Sequence, residues 1–270
     1  MFKLALAQMA HPADGNVIVA ARAWAQKAAN AGAKLLVFPE CLMTPFEKTP
    51  EEFAASAQPL TGDFVQQMCT IARETGLWIV FTMNEKSPAG GQPLNTAVVA
   101  DSSGNVRSHY RKTHLYAAHG IDEHEKMGEG SALFEPIETP FCTLGLGICY
   151  DLRFPEVARA AALAGCNVMV FPAAWVAGPH KIRHWETLLA ARALENELFV
   201  AGCCRPDRSC IGRSQVVNPL GEVVARAGEE EQLLIADVDL SQVKSARDAM
   251  PCLQHRRPEL YGPLTQQVKK

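Results

Sequence analysis

The stretch LGLGICYDLRFPEVARAAALAGCNVMVF, from Leu144 to Phe171, joins an apolar run, a helix-period segment and a second apolar run. Leu144 to Ile148 reads as a strand, Pro155 suits the first turn of a helix, and Asn167 to Phe171 reads as the next strand. Val157, Ala160, Ala161 and Ala164 are expected to face inward, with Gly165 as the stop. This β-α-β unit predicts two parallel strands with a helix laid on one face of their sheet.

The same logic extends in both directions. Downstream, a helix through Trp185, Leu188, Leu189 and Ala193 precedes a strand from Leu198 to Gly202. Val216-Val217, Val223-Val224 and Leu233 to Val238 then read as a closing meander around Asn218-Pro219-Leu220-Gly221. Upstream, Lys3 to Gln8 reads as a strand, followed by a helix capped by Asn16, with Val17, Ala20, Ala21 and Trp24 on one face and Gly32 as the stop. Lys34 to Phe38 is a buried strand ended by Pro39. Asp63 to Thr75 repeats the helical spacing through Val65, Met68, Cys69 and Ala72, and Leu77 to Met83 is a strand. Asn95 to Ala100 and Val106 to Arg111 form a hairpin around Asp101-Ser102-Ser103-Gly104. Two βα-rich halves with no linker between them predict one mixed-sheet α/β domain with helices outside. The longest irregular region, Leu115 to Ile137, is of a length that usually carries function.

Composition narrows the classes. The 270 residues are 48 % hydrophobic and 20 % charged, which suits a globular protein with a sizeable core. Lys+Arg 26 against Asp+Glu 29 gives a net charge of −3, so no broad basic surface for nucleic acid or anionic lipid is expected, and the substrate should be small. Nine cysteines, an odd number without a Cys-x-x-Cys pair, predict a reducing compartment rather than a disulfide scaffold. Met1 to Met9 lacks the basic head and long apolar stretch of a signal peptide, and no 18-residue apolar segment follows. A soluble cytoplasmic protein is the expectation.

Three polar residues sit just past apolar strands: Glu40, Lys112 and Cys149. Strand C-termini in α/β sheets are where ligands bind. A cysteine in a turn before a helix can face its acyl target with backbone N–H groups nearby, and a close lysine is expected to favour its thiolate. A buried glutamate is expected to hold a raised pKa and to shuttle a proton. Singly, each has a plainer reading: a core thiol, a capping or ion-paired carboxylate, a solvated ammonium. Cys203, Cys204 and Cys210 lack histidines at metal-ligand spacing and read as core, and Gly145-x-Gly147 lacks the third glycine of a dinucleotide site. No metal or cofactor is implied. His114, His119 and His124 share one loop, so a Cys-His hydrolase is the mechanistic rival.

Phe38-Pro39-Glu40, Tyr110-Arg111-Lys112-Thr113-His114-Leu115 and Gly147-Ile148-Cys149-Tyr150-Asp151-Leu152-Arg153-Phe154-Pro155-Glu156 resemble, in order, the three signature segments of the nitrilase superfamily of carbon–nitrogen hydrolases. Phe171-Pro172-Ala173-Ala174-Trp175, His184-Trp185-Glu186, Ala191 to Asn196, Asn218 to Gly221 and His255-Arg256-Arg257-Pro258 add to the likeness, which runs from Lys3 to about Gly262. The resemblance implies a four-layer α-β-β-α sandwich in a single domain over the whole chain. It assigns a Glu-Lys-Cys triad to Glu40 as base, Lys112 as oxyanion donor and Cys149 as nucleophile, with the backbone N–H of Tyr150 as second donor. It also implies an orienting glutamate after the lysine, for which Glu123 is the best match and Glu125 and Glu129 compete, because the loop after His119 departs from the common pattern.

The residues after Cys149 resemble the Nit branch, which implies an amidase acting on an ω-amide or a peptide-like amide that carries carboxylates. An N-carbamoyl hydrolase, a nitrilase or a catalytically silent scaffold are the alternatives. Substrate contacts are expected from Ala174, Trp175, Arg153 and Lys181, with Arg183 nearby. Lys181 and Arg183 alternatively begin a helix on its solvated face, and Trp175 either walls the pocket or packs in the core. The family usually assembles through the helices after the nucleophile, so a homodimer or higher homo-oligomer is expected.

Overall fold

The computed structural model describes residues 1–207 and 209–261, so Gly262, the expected end of the core, lies outside the described residues. The first half supplies β1 (Phe2–Gln8), α1 (Val17–Asn30), β2 (Leu35–Val37), α2 (Pro50–Ser56), α3 (Asp63–Thr75), β3 (Trp78–Glu85), β4 (Leu94–Ala100) and β5 (Val106–Arg111). A small hairpin of β6 (Ala117–Ala118) and β7 (Ile121–Asp122) leads to a short 3-10 turn at Glu123–Glu125. The second half supplies β8 (Ile137–Glu138), β9 (Thr143–Leu146), a 3-10 turn at Cys149–Arg153, α4 (Pro155–Leu163), β10 (Val168–Ala173), α5 (Lys181–Asn196), β11 (Phe199–Cys204), β12 (Gln215–Val217), β13 (Val223–Arg226), β14 (Gln232–Val238), α6 (Ser241–Ala249) and α7 (Pro258–Tyr261).

Two six-stranded sheets result, ordered β14-β1-β2-β3-β4-β5 and β13-β12-β11-β10-β9-β8. Each has a parallel centre, β1-β2-β3 or β9-β10-β11, flanked by antiparallel strands. The period-2 alternation of side chains explains the layering. Leu4, Leu6, Leu35, Val37, Trp78, Val80, Ala97 and Val99 enter the core between the sheets. The alternate residues Ala5, Ala7, Leu36, Ile79, Phe81 and Val98 pack against α1 and α3 through Ala21, Ala25, Val65 and Met68. On the other side α4 and α5 cover the second sheet with Val157, Ala161, Trp185 and Leu189. The expected α-β-β-α sandwich of mixed sheets is the observed fold.

Local signals held where they were self-contained. Asn16 caps α1 by accepting from the Val19 N–H at 3.4 Å, and α3 spans the predicted Asp63–Thr75. The inward face of α4 is rotated by about a residue: Val157, Ala158, Ala161 and Ala162 are buried, whereas Ala164 is exposed at the C-cap. α2 and α6 were not foreseen, although Thr49 and Glu52 form a reciprocal capping box with Pro50 in the first turn. The closing meander is corrected. β12 and β13 pair, but β14 crosses to the other sheet and pairs antiparallel with β1, Phe2 opposite Val238 through Gln8 opposite Gln232. Leu234, Ala236 and Val238 thereby enter the core between the sheets while β1 gains a partner on its open edge.

Candidate active site

The site lies between the sheets, at the C-terminal ends of β2, β5, β9 and β10. Glu40 follows β2 in a turn that Thr82 pins: its hydroxyl donates to the Pro39 carbonyl at 3.1 Å and accepts from the Leu42 N–H at 3.1 Å. Lys112 follows β5, its N–H on the Asn95 carbonyl at 2.9 Å. Gly130 then passes so close to this backbone that a Cβ there would stand 2.1 Å from the Arg111 carbonyl oxygen, which only glycine permits. Cys149 opens its 3-10 turn with φ +45°, a left-handed conformation that a non-glycine residue holds only under constraint.

Asp151 supplies that constraint. Fully buried, it accepts from the Ile148 N–H at 2.8 Å and the Tyr110 hydroxyl at 2.9 Å and meets His114 Nδ1 at 2.7 Å. It thus ties the Cys149 turn to the segment after Lys112. Asp151→Asn keeps the shape but replaces one acceptor oxygen with a donor. We expect kcat to fall about tenfold to a hundredfold through misplacement of Cys149, with a loss of a few degrees in Tm, measured by steady-state kinetics and thermal unfolding.

Around these turns five side chains converge. The Lys112 ammonium donates to Glu40 Oε1 at 2.8 Å and to both carboxylate oxygens of Glu123 at 2.8 Å, and Lys112 and Glu40 are each only 1 % exposed. Asn95 Nδ2 donates to the same Glu40 Oε1 at 2.8 Å, and the Ala174 N–H donates to Oε2 at 2.8 Å. The Cys149 thiol lies beside Glu40 at the cavity wall, where the two groups act on each other's pKa. Glu123 also accepts from the Tyr116 N–H at 2.7 Å. Of the three competing glutamates, Glu123 is buried at this cluster, while Glu125 and Glu129 are exposed outside it.

Two electrostatic expectations are corrected. Burial pushes the Cys149 thiol well above its ordinary value, and the Glu40 carboxylate adds to the rise. The Lys112 ammonium acts the other way and loses, so the resting group is a thiol rather than a thiolate. Glu40 is not raised: burial works upward on it, but the Lys112 ammonium and the hydrogen bonds from Lys112, Cys149 and Ala174 outweigh that and hold it below its ordinary range. Glu123 is the raised carboxyl, through burial and the neighbouring Glu40 charge, against the pull of Lys112. One ammonium thus faces two carboxyl groups whose pKa values are pushed in opposite directions.

A cavity of about 390 Å³, counted out to its open mouth, is lined by Glu40, Glu123, Cys149 and Ala174 at its polar end, and by Phe46, Tyr116, Tyr150, Arg153, Trp175, Val176 and Lys181. Trp175 does both things expected of it in the alternative: it walls the cavity and packs against Trp185 with ring centroids 5.2 Å apart. The Arg153 guanidinium lies 4.6 Å from the centroid of the Trp175 ring. Lys181 begins α5 but is buried, not solvated, because its ammonium reaches the Tyr116 hydroxyl at 3.1 Å. Arg183 is exposed and lies outside the cavity lining. The Tyr150 N–H stands in the first turn of the Cys149 3-10 segment, where N–H groups lack partners within the turn.

His114 is engaged by Asp151 and stacks on Phe154 at 3.8 Å, outside the cavity lining, and His119 and His124 are exposed. Cys203 and Cys204 are buried on β11, the Cys203 thiol reaching the Ala7 and Val37 carbonyls of the facing sheet. Among the described residues no group of three or more His, Cys, Asp or Glu side chains could hold a metal ion. Asn95 and Phe46 escaped the sequence reading: one is a polar residue inside a strand and the other an aromatic in a loop, and nothing in their local pattern separates them from structural residues.

Fold and site together define a class of α-β-β-α hydrolase in which a thiol, a carboxylate and an ammonium meet in one buried cluster. Residues 3–248 match the carbon-nitrogen hydrolase family, and the chain belongs to it. It is similar to human Omega-amidase NIT2, 33 % identical over 97 % of each chain. It is also similar to the deaminated glutathione amidase of Bos taurus, 38 % identical over 88 % of this chain and 76 % of that one. Among solved structures, the amidase from Nesterenkonia sp. AN1, in a variant showing Michael addition of acrylamide at its active-site cysteine, superposes with a TM-score of 0.83 at 28 % identity, covering 98 % of this chain and 100 % of the other.

Proposed function

We propose that the chain is a cysteine-dependent amidase that hydrolyses a small carboxylate-bearing amide, an ω-amide such as α-ketoglutaramate or the amide bond of deaminated glutathione, through a thioester on Cys149. The observation that carries this reading is the buried Lys112 ammonium held between Glu40 and Glu123, the two glutamates that line the cavity with Cys149. In the first stage Glu40 takes the thiol proton as sulfur attacks the amide carbon. Lys112 and the Tyr150 N–H hold the oxyanion, and the proton passes to the departing nitrogen, which leaves as ammonia or amine. In the second stage Glu40 takes a proton from water, hydroxide attacks the thioester, and the thiol is re-protonated as the carboxylate product leaves. Glu123 orients Lys112. Ala174 and Trp175 border the substrate, and Arg153 and Lys181 supply positive charge for its carboxylate.

Release of ammonia or amine from α-ketoglutaramate and from deaminated glutathione, with Cys149→Ala as control, tests the activity; no turnover on a broad amide panel favours the silent scaffold instead. A second check rests on the resting thiol. Because the Glu40 charge holds the Cys149 pKa up, Glu40→Gln removes that contribution and moves the value down, so the thiolate fraction at a given pH rises. Alkylation of Cys149 by iodoacetamide should therefore shift to lower pH in Glu40→Gln, read by mass spectrometry of the Cys149 peptide across pH. An unshifted profile breaks the contact between the two side chains.

Two further properties belong to this reading. All nine cysteines are free, which supports a reducing, cytoplasmic setting. No helix of the described residues is long and apolar enough to cross a membrane. Assembly into a homodimer or higher homo-oligomer is measured by light scattering.

A further inference from the structure

Phe46 lines the cavity from the irregular connection between β2 and α2. Ser209 holds that loop from one side by donating to Glu47 at 2.9 Å, and Lys126 holds the segment around Phe46. The Lys126 ammonium donates to the Phe46 carbonyl at 2.9 Å and to the Lys48 carbonyl at 2.9 Å, and it lies 4.8 Å from the centroid of the Phe46 ring and 5.6 Å from that of Phe53. Lys126 makes no carboxylate pair among the described residues; carbonyl oxygens and ring faces satisfy its charge instead. Its own N–H donates to the Glu123 carbonyl at 3.0 Å, so the same residue is anchored to the turn that delivers Glu123 to Lys112. A small apolar cluster of Phe53, Leu115 and Met127 joins α2 to the segment that carries Glu123 and Lys126.

From this arrangement we infer that Lys126 is a positioning residue that sets the width of the substrate cavity by strapping Phe46 to the Glu123 turn, and so selects against amides with bulky substituents. The bonds involved are the reason. Charge-assisted bonds to the Phe46 and Lys48 carbonyls fix the loop backbone on either side of Glu47, and the ring contact fixes the orientation of the side chain that reaches the cavity. Lys126 touches none of the reacting groups, so its effect falls on admission rather than on the bond-breaking step. The inference rests on the amidase reading only in taking this cavity as the substrate's.

The test separates the two. Cys149 of the full chain is alkylated at fixed pH with a small reagent, iodoacetamide, and a bulky one, N-phenylmaleimide, and both rates are read at the Cys149 peptide. Lys126→Met is expected to raise the ratio of bulky to small rates about tenfold, the factor of one charge-assisted hydrogen bond, while Lys126→Arg keeps it near the wild-type value. Phe46→Ala is expected to raise the ratio as well, and Lys126→Met added to it should contribute little more, since both act on one wall. On amide substrates Lys126→Met should raise KM for a small primary amide with kcat little changed. A ratio unmoved by Lys126→Met, or additive effects of Lys126→Met and Phe46→Ala, overturns the inference even if amides are hydrolysed. Failure of the wild type to turn over any amide strikes the amidase reading, while the alkylation ratio still decides the role of Lys126.

Discussion

Cys149→Ala should lose amide turnover by about 10⁴-fold or more while staying folded, because the nucleophile is the one group whose removal leaves no covalent route. The folded state is expected to survive, since Cys149 is nearly buried and makes no backbone-defining bond through sulfur; the φ of +45° is imposed by Asp151 and its partners and is no harder for alanine than for cysteine. The complementary result is positive. Wild-type enzyme quenched during turnover should carry the acyl mass on the Cys149 peptide, and an acyl mass found on another residue removes the mechanism. A resting thiol, with Glu40 beside it as a carboxylate, also means that deprotonation and attack are coupled, so no pre-formed thiolate should be seen by ultraviolet absorption in the free enzyme.

Lys112→Met is the second large effect, and it should appear in two measurements at once. In catalysis it removes the proposed oxyanion donor, a group of a kind worth about 3 kcal/mol, so kcat should fall at least roughly a hundredfold. In stability it leaves two buried carboxylates facing each other without a counter-charge, a change that typically costs about 3–5 kcal/mol, or on the order of 10 °C in Tm for a chain of this size. The sign with pH follows from the causes. Burial already works upward on Glu40, and Lys112 is the largest opposing influence. Without it the carboxyl moves up, a proton is taken up on folding, and the variant's deficit in Tm should shrink as the pH is lowered toward the carboxylate range. Adding Glu123→Gln to Lys112→Met should restore part of the Tm and none of the turnover. A Lys112→Met enzyme within tenfold of wild type in kcat removes the oxyanion role.

The fold was legible wherever the information was local. The period of the apolar residues marked α1 and α3 and the strands around Cys149, and the turn chemistry at Asp101 to Gly104 marked the β4–β5 hairpin. Glu40, Lys112 and Cys149 were legible as three motif segments in a fixed order, although nothing in their spacing brings them together: Lys112 and Glu40 stand 72 positions apart. Glu123 was one of three candidate glutamates in a single loop, separated by burial and by the Tyr116 N–H rather than by pattern.

By itself the sequence determined the succession of strands and helices, the two βα-rich halves and the residue types at the ends of three strands, because helix and strand periods and turn preferences act over a few residues. Tertiary structure alone decided that β14 seals the edge of β1, that Asn95 and the Ala174 N–H hold Glu40, and that Phe46 walls the cavity. It also decided that burial and the Glu40 charge push the thiol up while the Lys112 ammonium holds Glu40 down. Strand pairing and charge energies depend on distances between groups far apart in the chain, and a balance such as burial against one ammonium is set only once those distances exist.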